Sequence, residues 1–161
     1  MSVNKFSVLF VCTGNICRSP TAEAIFRKLA ADAGMAEAVL ADSAGTHGYH
    51  VGEPPDPRAQ AAAAKRGYDL SGLRARRFEQ ADFHRFDLIL AMDRDHHSIL
   101  SRLAPADPKL KLMMSYARRF NEQEVPDPYY GGPQSFERVL DMLEDASQGL
   151  LESLLKESVS R

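Results

Sequence analysis

Five residues separate Cys12 from Arg18 in the segment Cys12-Thr13-Gly14-Asn15-Ile16-Cys17-Arg18-Ser19, a spacing that sets a thiol and a guanidinium around one small loop. Gly14 and Asn15 are residue types that accept left-handed backbone easily. A tight turn through them into a helix N-terminus gathers main-chain N–H groups into an anion nest. Arg18 adds a planar fork that can hold two phosphate oxygens at once. Helix N-termini and nearby Arg also favour thiolate over thiol. The nest that binds a phosphate dianion would thus make the nucleophile that attacks it, with Ser19 adding a hydrogen bond to the sulfur. Two other readings stay open on these residues alone. Cys12 can be a small buried hydrophobe, or Cys12 and Cys17 can be half of a zinc site. The zinc reading needs further ligands from His47, His50, His84, His96 or His97, none spaced as the usual second pair.

Such a loop works only if a strand delivers Cys12 and a helix receives Arg18. Residues 6–11 (F-S-V-L-F-V) form a β-branched and aromatic run that reads as a buried strand. Ser19-Pro20-Thr21-Ala22-Glu23 reads as a helix start, with a Ser cap, Pro at the first position and an acid in the first turn. Ala22, Ile25, Phe26 and Leu29 then sit at helical spacing toward a core. The alternation repeats. Residues 39–41 form a second short strand, ended by Asp42-Ser43-Ala44-Gly45, and a polar loop leads to an Ala-rich helix over 58–66. Residues 86–92 form a third strand, Asp93 caps a helix over 94–103, and 109–114 form a weaker fourth strand. From Gln134 onward, Phe136, Val139, Leu140, Leu143, Leu150, Leu151, Leu154 and Leu155 share one side of a long final helix. This order predicts a single α/β domain over 1–161: a four-stranded parallel sheet flanked by helices on both faces. Ligands of such sheets bind beyond the carboxyl ends of the strands, at the switch point. The loop after strand one is where chemistry is expected.

A chain of 161 residues can bury roughly 70% of its unfolded surface, enough for a core without staples. Its 44% apolar and 26% charged residues fit a globular protein, and a net charge of −2 with mixed signs argues against nucleic-acid binding. No run approaches the ~20 apolar residues of a membrane span. The start at Met1-Ser2-Val3-Asn4-Lys5 leads into an apolar run too short for a signal segment. With only Cys12 and Cys17 there is no disulfide framework, and the expected location is the cytoplasm.

Residues 11–23 (V-C-T-G-N-I-C-R-S-P-T-A-E) resemble the low-molecular-weight protein tyrosine phosphatases. So do Asp42-Ser43-Ala44-Gly45-Thr46, Pro54-Pro55-Asp56-Pro57-Arg58, residues 87–93 (D-L-I-L-A-M-D) and residues 125–131 (V-P-D-P-Y-Y-G). The matches occur in family order and span the chain. The resemblance implies hydrolysis of protein phosphotyrosine and small aryl phosphates through a phosphocysteine, with neither metal nor cofactor. It gives Cys12 the nucleophile's role and makes Thr13, Gly14, Asn15, Ile16, Cys17 and Arg18 the phosphate-binding loop. Asp127 becomes the general acid and then base, although an Asp between two prolines is by itself an ordinary rigid turn. Asn15 and Ser43 look like the pair that holds the loop in shape, alongside Ser19. Asp93 would orient Arg18, or simply cap its helix. Tyr49, Tyr129 and Tyr130 resemble an aromatic wall for a flat substrate. Cys17 would form a reversible disulfide with Cys12 that protects it from overoxidation. The implied partners are a tyrosine-phosphorylated protein and a cognate tyrosine kinase, with no nucleic acid or membrane.

The chain departs from the pattern near Ser71-Gly72-Leu73-Arg74, where many relatives carry a histidine that supports the loop. Two related activities share the first loop. Arsenate reductases of similar fold need a further cysteine downstream, and none follows Cys17. Phosphoarginine phosphatases carry Thr at the place of Ile16, so an apolar Ile16 with Tyr129 after Asp-Pro favours an aromatic phosphoester.

Overall fold

Strand β1, Phe6–Cys12, runs through the middle of the molecule with Val8, Leu9, Phe10 and Val11 fully buried. The structure is a computed structural model describing residues 5–159; the start at residues 1–4, read above for targeting, lies outside them. Because both faces of β1 are covered, its sequence is a continuous apolar run rather than an alternating one. Val8, Phe10 and Cys12 join one core with Ile25 and Phe26 of α1 (Arg18–Asp32) and Leu140 and Leu143 of α5 (Pro133–Val159). Leu9 and Val11 join the other with Phe83 of α3 (Asp82–Arg85) and Leu100 of α4 (Arg94–Leu103). The cores are the two sides of one sheet.

That sheet has four parallel strands in the order β2-β1-β3-β4, with β2 at Val39–Gly45, β3 at Leu88–Ala91 and β4 at Leu110–Leu112. The fold expected from the sequence is therefore present. From β1 the chain first adds a neighbour on one side and later returns to the other. The loops after β1 and β3 thus part above the sheet and leave a crevice at the carboxyl ends.

Several boundaries differ for physical reasons. Strand β2 continues through Asp42-Ser43-Ala44-Gly45, because these residues stay in register with Leu9-Phe10-Val11-Cys12. Strand β4 is shorter than expected, since Met113–Tyr116 tightens into a 3₁₀ turn. Helix α2, Pro57–Ala64, is capped by the Asp56 side chain on the Arg58 amide, and α3 was not foreseen. Ser19 does not cap α1. The helix begins at Arg18 with Cys17 before it, no side chain caps it, and its first turn holds no acid. The Ser19-Pro20 pair points to a start two residues later than the observed one, and Ser19 is free for the site. In α5, Leu155 is 39% exposed, while Met142 and Ala146 complete the buried stripe. Gly149 lets α5 press on the 3₁₀ turn, since a Cβ there would overlap the Tyr116 carbonyl oxygen.

Candidate active site

The loop after β1 turns at Asn15, which takes the left-handed conformation with φ 59°. Gly14 does not share that conformation; its lack of a side chain makes room for His50, whose ring a Cβ would meet at 2.8 Å. Gly45 lets the end of β2 slide beneath the loop, because a Cβ there would lie 2.7 Å from the Thr13 carbonyl oxygen. The carbonyls of Cys12, Thr13 and Ile16 accept from the amides of Thr46 (2.8 Å), His47 (3.0 Å) and Asp56 (2.8 Å). The oxygen side of these peptides is thus turned toward neighbouring segments, away from the cleft.

Beneath the loop runs a chain of polar contacts. Cys12 Sγ lies 2.9 Å from Ser19 Oγ, which also accepts from Asn15 Nδ2 at 2.8 Å. Asn15 Oδ1 in turn accepts the Arg76 amide at 3.0 Å. A main-chain N–H therefore supports the loop from the side where the sequence lacks the histidine. Ser43 plays a different part from the one expected. Its hydroxyl donates to Glu23 at 2.7 Å, and Asn15 is held by Ser19 and Arg76 instead. Glu23 is buried, and burial above all raises its carboxyl from the ordinary value, against the Ser43 hydrogen bond and Arg27.

Arg18 is buried and anchored on one side. Its Nη1 donates to Asp93 Oδ2 and to the Val125 carbonyl, both at 2.9 Å, and its Nη2 donates to Thr13 Oγ1 at 3.4 Å. Asp93 holds Arg18 and caps α4 at once, its Oδ1 accepting the His96 amide at 2.9 Å. Burial alone would raise the Asp93 carboxyl, but the helix amide, His96 and Arg18 together hold it below the usual range. The loop that Val125 anchors brings Asp127 Oδ2 to 3.8 Å from Arg18 Nη2. Asp127 Oδ1 accepts the Tyr129 amide at 3.0 Å, and the side chain is about half exposed.

These groups face an open cleft of about 240 Å³ lined by Cys12, Thr13, Gly14, Ile16, Cys17, Arg18, Tyr49, His50, Asp127, Tyr129 and Tyr130. The rings at its mouth are buttressed. Tyr49 stacks on His47 with centroids 5.0 Å apart, Tyr129 and Tyr130 meet edge to face at 4.9 Å, and Arg58 lies 5.3 Å over Tyr129. Cys12 and Cys17 are both free thiols, and burial, followed by Asp56, pushes the Cys17 thiol well up. Among the described residues no three His, Cys, Asp or Glu side chains gather in a ligating cluster.

Sequence reasoning missed His50, which only its polar loop of glycines and prolines brings to the cleft, and His96. Ring nitrogen Nε2 of His96 lies 2.7 Å from Thr13 Oγ1. Burial first, then the charge of Arg18, pushes His96 down from 6.5 to about 4. The unfolded chain thus binds a proton at His96 between pH 6.5 and about 4 that the folded chain refuses. The stability this confers is full above pH 6.5 and is lost as pH falls toward 4. Asp93 adds its own loss only below its ordinary 3.8. In His96→Gln, Tm is expected to fall less steeply than in wild type between pH 6.5 and 4; parallel curves would remove His96 as the source.

A doubly wound parallel sheet carries a Cys-x5-Arg loop at its switch point, an arrangement suited to cysteine-dependent phosphate chemistry. The model of the family "low molecular weight phosphotyrosine protein phosphatase" matches residues 7–160. A low molecular weight protein-tyrosine-phosphatase of Streptomyces coelicolor is 49% identical over 161 residues, covering 97% of this chain and 98% of its own. The human low molecular weight phosphotyrosine protein phosphatase is 41% identical over 150 residues, covering 91% and 94%. The crystal structure of a protein tyrosine phosphatase from Entamoeba histolytica with Hepes in its active site superposes with a TM-score of 0.92 at 40% identity, covering 96% and 99%. The chain belongs to the low molecular weight phosphotyrosine protein phosphatase family, and it is a protein-tyrosine phosphatase.

Proposed function

We propose that residues 1–161 act as one catalytic domain in which Cys12, Arg18 and Asp127 divide the work of hydrolysing protein phosphotyrosine. The observation that carries this reading is their meeting in one cleft, with Asp127 across Arg18 from the Cys12 loop. Cys12 Sγ attacks phosphorus in line as the P–O bond to the tyrosine ring breaks. Asp127, entering as the acid, gives its proton to the departing oxygen. Water then attacks the phosphocysteine, Asp127 takes the proton back, and the S–P bond breaks to release phosphate. Residues 13–18 cradle the phosphoryl group, and Arg18 offsets charge on its oxygens without a metal. Ser19, pinned by Asn15, donates to the sulfur and steadies it as leaving group in the second step. Ser43 supports the loop at one remove, through Glu23 on α1. Cys17 serves as the redox partner of Cys12.

The cleft mouth supports an aromatic substrate. Ile16 presents an apolar side chain to the cleft, and Tyr49, Tyr129 and Tyr130 offer ring faces to a phosphorylated tyrosine. A cognate tyrosine kinase supplies the phosphoprotein. The cytoplasm is the compartment, where free Cys12 and Cys17 stay reduced, and no helix among the described residues is long and apolar enough to cross a membrane. The test is a side-by-side assay of phosphotyrosine and phosphoarginine peptides with a chelator present. The expected result is a kcat/KM at least about tenfold higher for phosphotyrosine, consistent with losing an apolar ring contact of one to two kcal/mol. A preference for phosphoarginine would overturn the roles of Ile16 and Tyr129, and inhibition by the chelator would overturn the metal-free chemistry.

A further inference from the structure

Arg18, Thr13, His96 and Asp93 form a closed ring. Arg18 donates to Asp93 through Nη1 at 2.9 Å and to Thr13 Oγ1 through Nη2 at 3.4 Å. Thr13 Oγ1 meets His96 Nε2 at 2.7 Å, and His96 Nδ1 lies 3.0 Å from Asp93 Oδ1. That last contact is too bent for a full hydrogen bond, and buried Nδ1 has no other partner. The proton positions follow from electrostatics. A bare Nδ1 lone pair against the Asp93 carboxylate is repulsive, so the proton of the neutral ring sits on Nδ1. Nε2 is then an acceptor. Thr13 must spend its single hydroxyl proton on Nε2, which leaves its oxygen lone pairs to receive Arg18 Nη2.

We infer that His96, acting through the Thr13 hydroxyl, is a positioning residue that sets the plane of the Arg18 guanidinium for the transferring phosphoryl group. The inference rests on Arg18 being the phosphate clamp. Nη1 is fixed by two acceptors, so rotation about that anchor is what remains to be controlled. Thr13 controls it on the side that faces the cleft. Thr13 also ties the loop after β1 to the first turn of α4, across the crevice between β1 and β3. A guanidinium tilted out of plane still attracts a dianion, but it misses the equatorial oxygens of a five-coordinate transition state.

The experiment compares wild type with Thr13→Val, Thr13→Ser, His96→Phe and the Val/Phe double variant. Each is assayed for phosphotyrosine-peptide kcat and KM and for inhibition by phosphate and by vanadate, a five-coordinate mimic. Thr13→Val is expected to lower kcat about tenfold with KM changed less than about twofold, since misalignment is felt most in the transition state. Vanadate is expected to weaken several-fold more than phosphate, as transition-state binding requires. Thr13→Ser recovers most of the loss, and adding His96→Phe to Thr13→Val costs little more, as for two members of one unit. Should His96→Phe not fold, the Val and Ser pair and the two inhibitors still decide. The inference is overturned if Thr13→Val keeps wild-type kcat, if vanadate and phosphate weaken equally, or if the two substitutions multiply. Those results leave the phosphatase assignment standing, because Arg18→Lys tests the clamp separately: full turnover there would remove the clamp itself.

Discussion

Cys12→Ser is expected to turn over aryl phosphates at least about 10⁴-fold more slowly than wild type, the scale of losing a covalent nucleophile. The two side chains are close in size, so the loop keeps its shape and the phosphate site survives. What changes is the chemistry. A serine hydroxyl stays protonated at neutral pH, and its nearest polar neighbour, the Ser19 hydroxyl 2.9 Å from the sulfur, is no base. Inhibition or binding by inorganic phosphate is therefore expected to stay within several-fold of wild type while turnover vanishes. The check is kcat from p-nitrophenyl phosphate beside phosphate affinity by calorimetry. Residual turnover within about tenfold of wild type would mean that attack on phosphorus does not come from Cys12, given what covalent catalysis contributes.

Asp127→Ala is expected to lower kcat for phosphotyrosine by roughly 10²–10⁴, the range for losing a positioned proton donor. The loss depends on the leaving group. Tyrosine leaves badly as a phenolate and needs the proton, whereas p-nitrophenolate leaves well without it. The variant should therefore show a steep dependence of rate on phenol acidity where wild type shows a shallow one. Asp127 also touches Arg18 at 3.8 Å and accepts the Tyr129 amide at 3.0 Å, so alanine removes two contacts beyond the proton. Asp127→Asn separates these effects. The asparagine oxygen can still accept the Tyr129 amide, but the side chain carries no transferable acid. Matching losses in Ala and Asn assign the effect to proton transfer. Near-wild-type activity in Asn would reduce Asp127 to a contact that shapes the loop.

Much of this site was legible in the chain because its parts are local. Strand β1, the anion loop and α1 follow one another within residues 6–32, and their apolar run, turn residues and Pro20 all point the same way. The sheet followed from the alternation of such units. Non-local partnerships were harder to read. Ser43 looked like a partner of Asn15, yet it faces Glu23 across the β2–α1 interface, and nothing in residue type marks that choice. Glu23 itself read as a first-turn acid, because helix charge patterns do not reveal which side becomes buried. His96 gave no signal, since a polar first turn after a capping Asp is the normal pattern of a solvated helix. Only the pairing of β1 with β3 brings that turn against the loop.

The most direct measurement of the central claim is capture of the covalent intermediate. In Asp127→Ala with p-nitrophenyl phosphate, the first step needs little acid, but the second lacks its base, so the phosphoenzyme accumulates. Acid quench during turnover, followed by peptide mass mapping, is predicted to find one phosphoryl group on the peptide carrying Cys12, and none in Cys12→Ser. Turnover with no phosphoryl on that peptide, or with the label on another residue, would contradict the account.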